Sequence, residues 1–286
     1  MSSPSRTVLV TGCSSGIGRA TAELLVEQGF RVFAGVRSSE QGAELAKQDL
    51  IALQLDVTKE SDILAAVKAV REASPGGLYA LVNNAGMGLA SAVELTSPDE
   101  LRGIFEVNTL GPLRMIQHCL PLLRQGQGRI VNVSSMNGTM ALPMVGGYSA
   151  SKFALEALSD TLRVELRPWR VTVSLIRPGQ VRTPIFIKAR DQIEQRRGEI
   201  PAELRDGYDA MYAKCAKFNE RGLKSRTSPE AVARVVLRAL QARSPRTHYQ
   251  VGWDAFGMSL AKYLPPWIVD RALARAMKMY RRVVGG

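Results

Sequence analysis

The sequence predicts an α/β fold: a single doubly wound, parallel sheet of seven strands with helices on both faces. Short runs of β-branched and leucine residues alternate with amphipathic segments of ten or more residues, an order typical of such sheets. The runs are almost continuously apolar, as expected for strands covered on both sides. A glycine-rich turn follows the first run and opens the first helical segment. Together these features predict a fold of the Rossmann type.

The elements follow the chain in a regular order. The predicted strands are Thr7–Val10, Arg31–Val36, Ile51–Leu55, Ala80–Val82, Ile130–Val133, Val171–Ile176 and Tyr249–Val251. The predicted helices are Gly18–Gln28, Ser61–Ala73, Pro98–Arg124, Ser149–Leu166 and Pro229–Ala242. Residues 184–228 depart from this alternation and predict a helical insertion that overhangs the carboxyl ends of the strands. We therefore expect one domain over residues 1–252, which includes the insertion, and a basic helical extension over residues 253–286.

Composition indicates a globular protein with a sizeable core, because 45% of the 286 residues are hydrophobic and 22% are charged. No apolar run reaches the roughly 18 residues that a membrane-spanning helix needs. We expect no signal peptide, because the first strand already begins at Thr7. The cysteines at positions 13, 119 and 215 are scattered and lack metal-ligand spacing. We therefore expect a cytoplasmic protein without a metal site.

The net charge of +12 leaves several explanations open. A nucleic-acid partner is disfavoured, because no run of five or more Lys and Arg residues occurs and only 6% of residues are aromatic. A basic cofactor site, an anionic substrate, a membrane surface and a basic surface that aids solubility all stay open.

The turn Thr11-Gly-Cys-Ser-Ser-Gly-Ile-Gly18 is typical of a dinucleotide site. Its three glycines permit a tight turn, a close approach of the backbone to a pyrophosphate, and close packing of helix on sheet. The helix that follows presents unpaired N–H groups to the phosphates. The expected contacts are Gly12, Ser14, Ser15, Gly16, Ile17 and Gly18.

The residue after the second strand indicates which dinucleotide binds. Enzymes that use NAD(H) usually have a carboxylate here, which binds the ribose hydroxyls. This chain has Arg37 followed by Ser38, and a guanidinium suits a 2′-phosphate. NADP(H) is therefore the expected cofactor, and NAD(H) is less favoured. Asp56, after the third strand, either binds the adenine edge or begins a turn.

Further along the chain, four side chains suit hydride and proton transfer at a carbonyl. Tyr148 and Lys152 are four residues apart in a predicted helix, so both lie on one helical face. Because an ammonium beside a phenol favours the phenolate, we expect Lys152 to lower the Tyr148 pKa from about 10. Such a phenol exchanges a proton at neutral pH. Asn108 and Ser135 precede this pair.

With these motifs placed, residues 5–252 resemble the short-chain dehydrogenase/reductase superfamily. The motifs that carry the resemblance are the glycine turn, Asn83-Asn-Ala-Gly86, Tyr148 with Lys152, and Arg177-Pro-Gly179 with Thr183. Three stretches, Thr11–Gly18, Leu53–Val57 and Ala150–Glu156, resemble the branch that contains estradiol-forming hydroxysteroid dehydrogenases and photoreceptor retinol dehydrogenases.

The resemblance implies a role for each of the four catalytic side chains. Ser135 would hold the carbonyl oxygen over the nicotinamide, and Tyr148 would exchange the proton. Lys152 would bind the nicotinamide ribose, and Asn108 would kink its helix and hold a water that links Lys152 to solvent. The further cofactor contacts that it implies are Val57, Asn83, Ala85, Gly86, Pro178, Gly179, Val181 and Thr183. It also implies a homodimer built on the helices that contain Asn108 and Tyr148.

Methionines near the expected reaction centre suggest an apolar, adaptable substrate pocket. The expected substrate contacts are Ser135, Met136, Met144 and Tyr148. A lipophilic ketone, aldehyde or alcohol of the steroid, retinoid or long-chain lipid class would fit such a pocket. The alternative is that the methionines only pack beneath the loop.

The tail from residue 244 onward combines basic and apolar side chains. It has seven Lys and Arg residues against two Asp residues, and Pro265-Pro266 divides it into two segments. A basic amphipathic helix can lie on an anionic membrane. The same apolar face suits two other roles, covering the substrate cleft or meeting a dimer partner.

The leading hypothesis is an NADP(H)-dependent enzyme for lipophilic carbonyls or alcohols. One alternative is a 3-oxoacyl-type reductase acting on a carrier-linked chain, for which a basic surface suits an acidic carrier. Another is a regulator that senses NADPH without turnover.

Overall fold

The computed structural model describes residues 6–46 and 50–277, apart from the side chains of Ala46 and Lys188. The strands are β1 Thr7–Val10, β2 Arg31–Val36, β3 Ile51–Gln54, β4 Ala80–Asn83, β5 Arg129–Val133, β6 Thr172–Pro178 and β7 His248–Val251. They form one seven-stranded sheet in the order β3-β2-β1-β4-β5-β6-β7, and all paired strands are parallel. The strand order reverses between β1 and β4, and open sheets bind ligands outside the carboxyl ends of such strands. The predicted fold class is confirmed.

The helices cover both faces of the sheet. They are α1 Gly16–Glu27, α2 Ser39–Ala46, α3 Glu60–Ala73, α4 Pro98–Phe105, α5 Gly111–Gln125, α6 Gly146–Glu165, α7 Ile185–Gly198, α8 Ala202–Leu223, α9 Pro229–Gln241, α10 Trp253–Ala261 and α11 Pro266–Ala276. A π-helical turn, Glu106–Leu110, lies between α4 and α5. Short 3₁₀ turns occur at Val93–Leu95, Met136–Gly138 and Arg167–Trp169.

The sequence predicted the strands more closely than the helices. Each predicted strand end lies within two residues of the observed end. The predicted helical stretch Pro98–Arg124 is helical throughout, and the π-helical turn Glu106–Leu110 divides it at Asn108, where a kink was expected. Helix α2 was not predicted, because its eight residues are too few to show a clear helical period.

Side chains alternate along each strand, so each face of the sheet has its own core. On one face, Val8 and Val82 pack in a buried cluster with residues of α1 and α9. On the other face, Leu9 and Leu81 pack with residues of α3 and α5. This burial on both faces explains why the strands read as continuous apolar runs.

Polar contacts between the ends of β1 and β4 shape the glycine turn. Asn84 Nδ2 donates to the carbonyl oxygens of Thr11 at 3.0 Å and Gly12 at 3.1 Å. Thr11 Oγ1 accepts from the backbone N–H groups of Asn84 at 3.0 Å and Ala85 at 2.9 Å. Gly12 has a φ of 70°, where a side chain would be strained. A Cβ on Gly18 would lie only 2.2 Å from the Gly12 oxygen.

Two helices, α7 and α8, occupy the predicted insertion and pack against each other. Ile193 of α7 and Tyr212 of α8 share a buried apolar cluster with Met144. Arg196 donates through Nη1 to Ser91 Oγ at 3.0 Å and forms an ion pair with Glu100 of α4. The insertion is therefore attached to the segment that leads into α4.

The last two described helices form the C-terminal extension. α10 packs against β7, whereas α11 has no buried residue in the part of the chain that the structure describes. Of the helices described, none is long and apolar enough to cross a bilayer. The basic and aromatic residues Lys278, Tyr280, Arg281 and Arg282 lie outside the described residues.

Two alanine substitutions test the packing of the glycine turn. We expect Gly18→Ala to lower the free energy of unfolding by about 1–3 kcal/mol, because its Cβ overlaps the Gly12 carbonyl. Gly103→Ala in α4 is the control, because its Cβ meets no described atom within 4 Å. Alanine should raise helix stability there by up to about 1 kcal/mol. Equal effects of the two substitutions in denaturant unfolding would contradict the packing described for the turn.

Candidate active site

Ser135 and Tyr148 lie at the carboxyl end of β5, on either side of the Met136–Gly138 turn. Ser135 comes two residues after β5 and is 8% exposed, and Tyr148 lies in the first turn of α6. The backbone N–H of Asn137 donates to Ser135 Oγ at 3.1 Å. That bond uses one of the acceptor sites of the hydroxyl, and the O–H of Ser135 can be donated to Tyr148 or to a ligand.

Lys152 is buried behind Tyr148. Its ammonium group donates to the carbonyl oxygen of Val133 at the end of β5, at 2.9 Å, and the residue is 5% exposed. Lys152 Nζ lies 6.0 Å from the centroid of the Tyr148 ring. The predicted shared face of the helix therefore brings the ammonium and the phenol together, and Tyr148 remains partly exposed to a ligand.

The expected direction of the Tyr148 pKa shift was wrong. Burial raises the pKa of Tyr148, and a hydrogen bond with Ser135 lowers it by a smaller amount. Burial also lowers the pKa of Lys152 to about 8, and the negative charge of Glu156 opposes that change. The phenol loses its hydration inside the cleft, which disfavours the phenolate, so Tyr148 is held in its protonated form.

Asn108 lies within the π-helical turn and is fully buried. Its Nδ2 donates to the carbonyl oxygen of Met87 and to Ser151 Oγ, both at 3.0 Å. Its Oδ1 accepts from the Met87 N–H at 2.9 Å. A Cβ on Gly86 would lie 3.3 Å from Asn108 Oδ1 and 3.7 Å from Lys152 Nζ. The structure thus brings Asn108, Gly86 and Lys152 into one cluster, where the helix departs from α-geometry.

The glycine turn fits the phosphates of a dinucleotide. Ser15 is the N-terminal cap residue of α1, and the first turn of the helix, which the structure describes in full, has no acidic side chain. A Cβ on Gly16 would lie 3.1 Å from Thr183 Cγ2, and one on Gly12 would lie 2.8 Å from Ala85 Cα. The turn, the end of β4 and the segment after β6 therefore line one cleft, which favours an anion at the helix N-terminus.

Three predicted cofactor residues turn their side chains into the protein. Val57 and Val181 are buried in the two sheet cores, and Asn83 Nδ2 donates to Asn132 Oδ1 at 2.9 Å. A ligand in the cleft can meet these residues only through their backbone. Ile17 also packs against a core cluster but is partly exposed.

At the far end of the cleft, Arg37 is exposed and Ser38 is partly exposed. Asp56 Oδ1 accepts from Thr58 through its N–H at 2.9 Å and through its hydroxyl at 2.7 Å, so Asp56 begins a turn. Burial acts to raise the pKa of Asp56, but the Thr58 hydrogen bonds and the charges of Lys59 and Arg37 lower it overall. Arg37 therefore lies close enough to Asp56 for their charges to interact.

Two of the expected substrate residues are buried beside the insertion. Met136 and Met144 are 5% and 3% exposed, and Met144 packs with α7 and α8. Met144 has a φ of 67°, a strained conformation for a residue with a side chain. Pro178 ends β6, and the N–H of Gly179 donates to the Val251 carbonyl at 2.9 Å. Both methionine side chains are therefore packed inside the protein in this structure.

Three residues that position the site were not predicted from the sequence. Thr11 and Asn84 fasten the glycine turn, and Glu156 lies one helical turn beyond Lys152. Asn84 stands inside a motif that was already recognised, and Glu156 continues the four-residue spacing of Tyr148 and Lys152. These patterns were visible in the sequence, but their partners were not.

Comparisons with known proteins identify the family of the chain. Residues 6–194 match the sequence profile of the short chain dehydrogenase family. Retinol dehydrogenase 5 of Mus musculus is 36% identical over 277 residues, which cover 93% of this chain and 87% of that protein. The 17-beta-hydroxysteroid dehydrogenase type 6 of Homo sapiens is 35% identical over 280 residues, which cover 94% and 88%.

A solved structure supports the same assignment. A short-chain dehydrogenase from Streptomyces avermitilis superposes with a TM-score of 0.76 at 28% identity, and the match covers 100% of both chains. The chain therefore belongs to the short-chain dehydrogenase family of oxidoreductases, whose fold binds nicotinamide cofactors, and it is similar to the retinol and hydroxysteroid dehydrogenases of that family.

Proposed function

We propose that the protein is an NADP(H)-dependent oxidoreductase that interconverts a lipophilic ketone or aldehyde and its alcohol. The observation that carries the proposal is the convergence of Ser135, Tyr148 and Lys152 at the carboxyl end of β5. This group opens onto the cleft that the glycine turn lines, where a dinucleotide fits.

In this function, each side chain has a separate task. NADPH, when bound, supplies the hydride that reaches the carbonyl carbon. Ser135 donates a hydrogen bond to the carbonyl oxygen and fixes its orientation. Tyr148, kept protonated by burial, donates its proton to that oxygen, which completes the alcohol. The Lys152 ammonium stabilises the phenolate that remains, and Asn108 holds the adjoining backbone. The reverse reaction uses the same groups in the opposite order.

The preference for NADP(H) rests on Arg37. The guanidinium is exposed beside the end of β2, at the position where a carboxylate would bind the ribose hydroxyls of NAD(H). A 2′-phosphate offers this cation a charge-assisted pair, and Ser38 offers a further hydrogen-bond partner.

The lipophilic substrate class rests on the lining of the site. Met136 directly follows Ser135, and Met144 packs in an apolar cluster with buried residues of α7 and α8, with the insertion acting as a lid. The names of two similar proteins refer to retinol and to a hydroxysteroid, both lipophilic alcohols. A carrier-linked 3-oxoacyl chain is the second candidate, favoured by the net charge of +12.

The active protein is proposed to be a homodimer, with the helices around Asn108 and Tyr148 at its interface. Large apolar side chains are exposed on these helices: Leu101 of α4, and Phe153 and Val164 of α6. A partner that covers them would remove apolar surface from water.

We also propose that the protein is cytoplasmic and that its C-terminal extension contacts an anionic membrane surface. Its exposed apolar side chains are Trp253, Phe256, Leu260, Tyr263, Leu264 and Trp267. Lys262 lies among them, and Arg271 and Arg275 follow Trp267. The carboxylate of Asp254 accepts hydrogen bonds from the N–H groups of Gln180 and Ala255. Aromatic rings and basic groups together suit the interface of an anionic bilayer.

Replacing the proposed acid tests the chemistry. We expect Tyr148→Phe to lower kcat by about 10²–10⁴-fold, with an unchanged Kd for NADPH, because only proton transfer is lost. Turnover is followed as NADPH oxidation with steroid ketones, retinal, long-chain aldehydes and acyl-thioester ketones. Tyr263→Phe, at a tyrosine that is 77% exposed, is the control. Undiminished turnover by Tyr148→Phe would contradict the proposal, and a strong preference for acyl-thioester ketones would favour the second candidate.

Replacing Arg37 tests the cofactor preference. Arg37→Asp should reduce the ratio of NADPH to NADH affinity by at least about 10-fold, because a carboxylate repels the 2′-phosphate and binds ribose hydroxyls. Arg71→Asp is the control, because it makes the same charge change near the end of α3, away from the carboxyl ends of the strands, and it should leave the ratio unchanged. An unchanged ratio in Arg37→Asp, measured by cofactor titration, would refute the assignment of the 2′-phosphate site.

Sedimentation with vesicles tests the membrane contact. We expect the protein to co-sediment with vesicles that contain an anionic phospholipid and to bind purely zwitterionic vesicles more weakly. The combined variant Trp253→Ala, Leu260→Ala and Trp267→Ala should lose most of this binding. Trp169→Ala removes a tryptophan that is 44% exposed elsewhere on the surface and should bind like the wild type. Equal binding by the combined variant and the wild type would exclude the extension as the contact.

A further inference from the structure

A buried ion pair lies one helical turn from Lys152 and has no task in the proposed chemistry. Glu156 of α6 and Arg177 of β6 are 6% and 8% exposed. Arg177 Nε donates to Glu156 Oε1 at 3.0 Å and Oε2 at 3.2 Å, and Nη2 donates to Oε2 at 2.6 Å. Such a two-point pair fixes the carboxylate in both position and orientation.

Glu156 joins three parts of the active site. Its helix carries Tyr148 and Lys152 at four-residue spacing on the same face. Gly138 ends the turn that begins at Ser135, and a Cβ on Gly138 would lie 3.0 Å from Glu156 Cγ and 3.1 Å from its Oε1. Arg177 directly precedes Pro178, where β6 reaches the cleft. The carboxylate therefore meets the catalytic helix, the serine turn and the end of β6.

The groups around Lys152 come from several elements. Its own helix contributes Tyr148 and Glu156, and β5 contributes the uncharged carbonyl of Val133. β6 contributes Arg177, which is bound to Glu156. Gly86 and Asn108 approach from the remaining side and are uncharged.

Two further groups face the ion pair from its far side. His248 of β7 has its pKa lowered by burial and then by the charge of Arg177, so it is neutral near pH 7. Asp160, one helical turn beyond Glu156, lies 3.6 Å from His248 and pairs with Arg163. Asp160 has 47% of its side-chain surface exposed, so solvent screens its charge.

We propose that Glu156 is a positioning residue that keeps Lys152 in its charged form, and that Arg177 both holds Glu156 and limits its effect on the ammonium. The proposal deepens the function given above, because it concerns the ammonium on which that function rests. Burial already disfavours the ammonium, so the Lys152 pKa of about 8 lies only slightly above neutral pH. Without the carboxylate, Arg177 would be a buried cation that has lost its ion-pair partner.

Substitutions of the two residues in the pair should shift the Lys152 pKa in opposite directions. Glu156→Gln keeps the shape and a hydrogen-bond acceptor for Arg177 but removes the negative charge, so the Lys152 pKa should fall by about one unit. Arg177→Gln leaves the negative charge unopposed, so the pKa should rise. A general loss of packing would not produce shifts of opposite sign.

The titration is measured on the protein without cofactor or substrate. Lysine labelled with ¹³C at Cε is incorporated, and NMR spectra are recorded as a function of pH. The Lys152 signal is assigned by its absence from the Lys152→Met variant. Asp160→Asn is the matched control, because it neutralises an exposed carboxylate on the same helix and should leave the midpoint unchanged.

An unchanged midpoint in Glu156→Gln, or shifts of the same sign in both variants, would overturn the proposal. If Glu156→Gln does not fold, Arg177→Gln alone decides, and a midpoint that stays or falls would overturn the proposal. The result is independent of turnover. Absent turnover with the expected midpoints would count against the proposed function only, whereas normal turnover with unchanged midpoints would count against the role of Glu156 only.

Discussion

The site depends on a lysine ammonium that is buried at the end of a parallel strand. Lys152 is 5% exposed, and its ammonium donates to the carbonyl oxygen of Val133, where β5 stops. Bulk water has little access to a cation that is buried to this extent, so the surrounding protein must compensate. The strand end, the Tyr148 ring and the Glu156 charge all contribute to that compensation. Removing the ammonium from the site would leave the Tyr148 phenolate without a cationic partner.

The parallel sheet determines where these groups meet. All seven strands point the same way, so the ends of β1, β4, β5 and β6 open onto one edge. Asn84 and Thr11 bind the glycine turn to the end of β4, and Asn108 binds the segment that follows Gly86. These bonds are formed between the backbone and short polar side chains, and they connect the ends of β1 and β4 to the π-helical turn. Helices α7 and α8 pack against Met144 in a separate apolar cluster.

How much of this could be predicted from the sequence depends on the kind of contact. The strands were predicted to within two residues, because burial on both faces leaves an unbroken apolar run. The glycine turn and the pairing of Tyr148 with Lys152 also followed from local spacing. A kink at Asn108 was expected, but its π-helical form was not, because Asn108 bonds to Met87 and Ser151, which are distant in the sequence. The direction of the Tyr148 pKa shift was wrong, because spacing identifies a neighbour but not the loss of hydration. The pair between Glu156 and Arg177 joins residues 21 positions apart, on different elements.

The central claim is that the phenol of Tyr148 and the ammonium of Lys152 face a bound nicotinamide. A crystal structure of the protein with NADP⁺ tests this claim most directly. The account predicts that the nicotinamide ribose lies within hydrogen-bond reach, about 2.6–3.2 Å, of Lys152 Nζ, with the ring beside Ser135 and Tyr148. A ring placed elsewhere, or protein side chains filling the space beside Ser135, would contradict it.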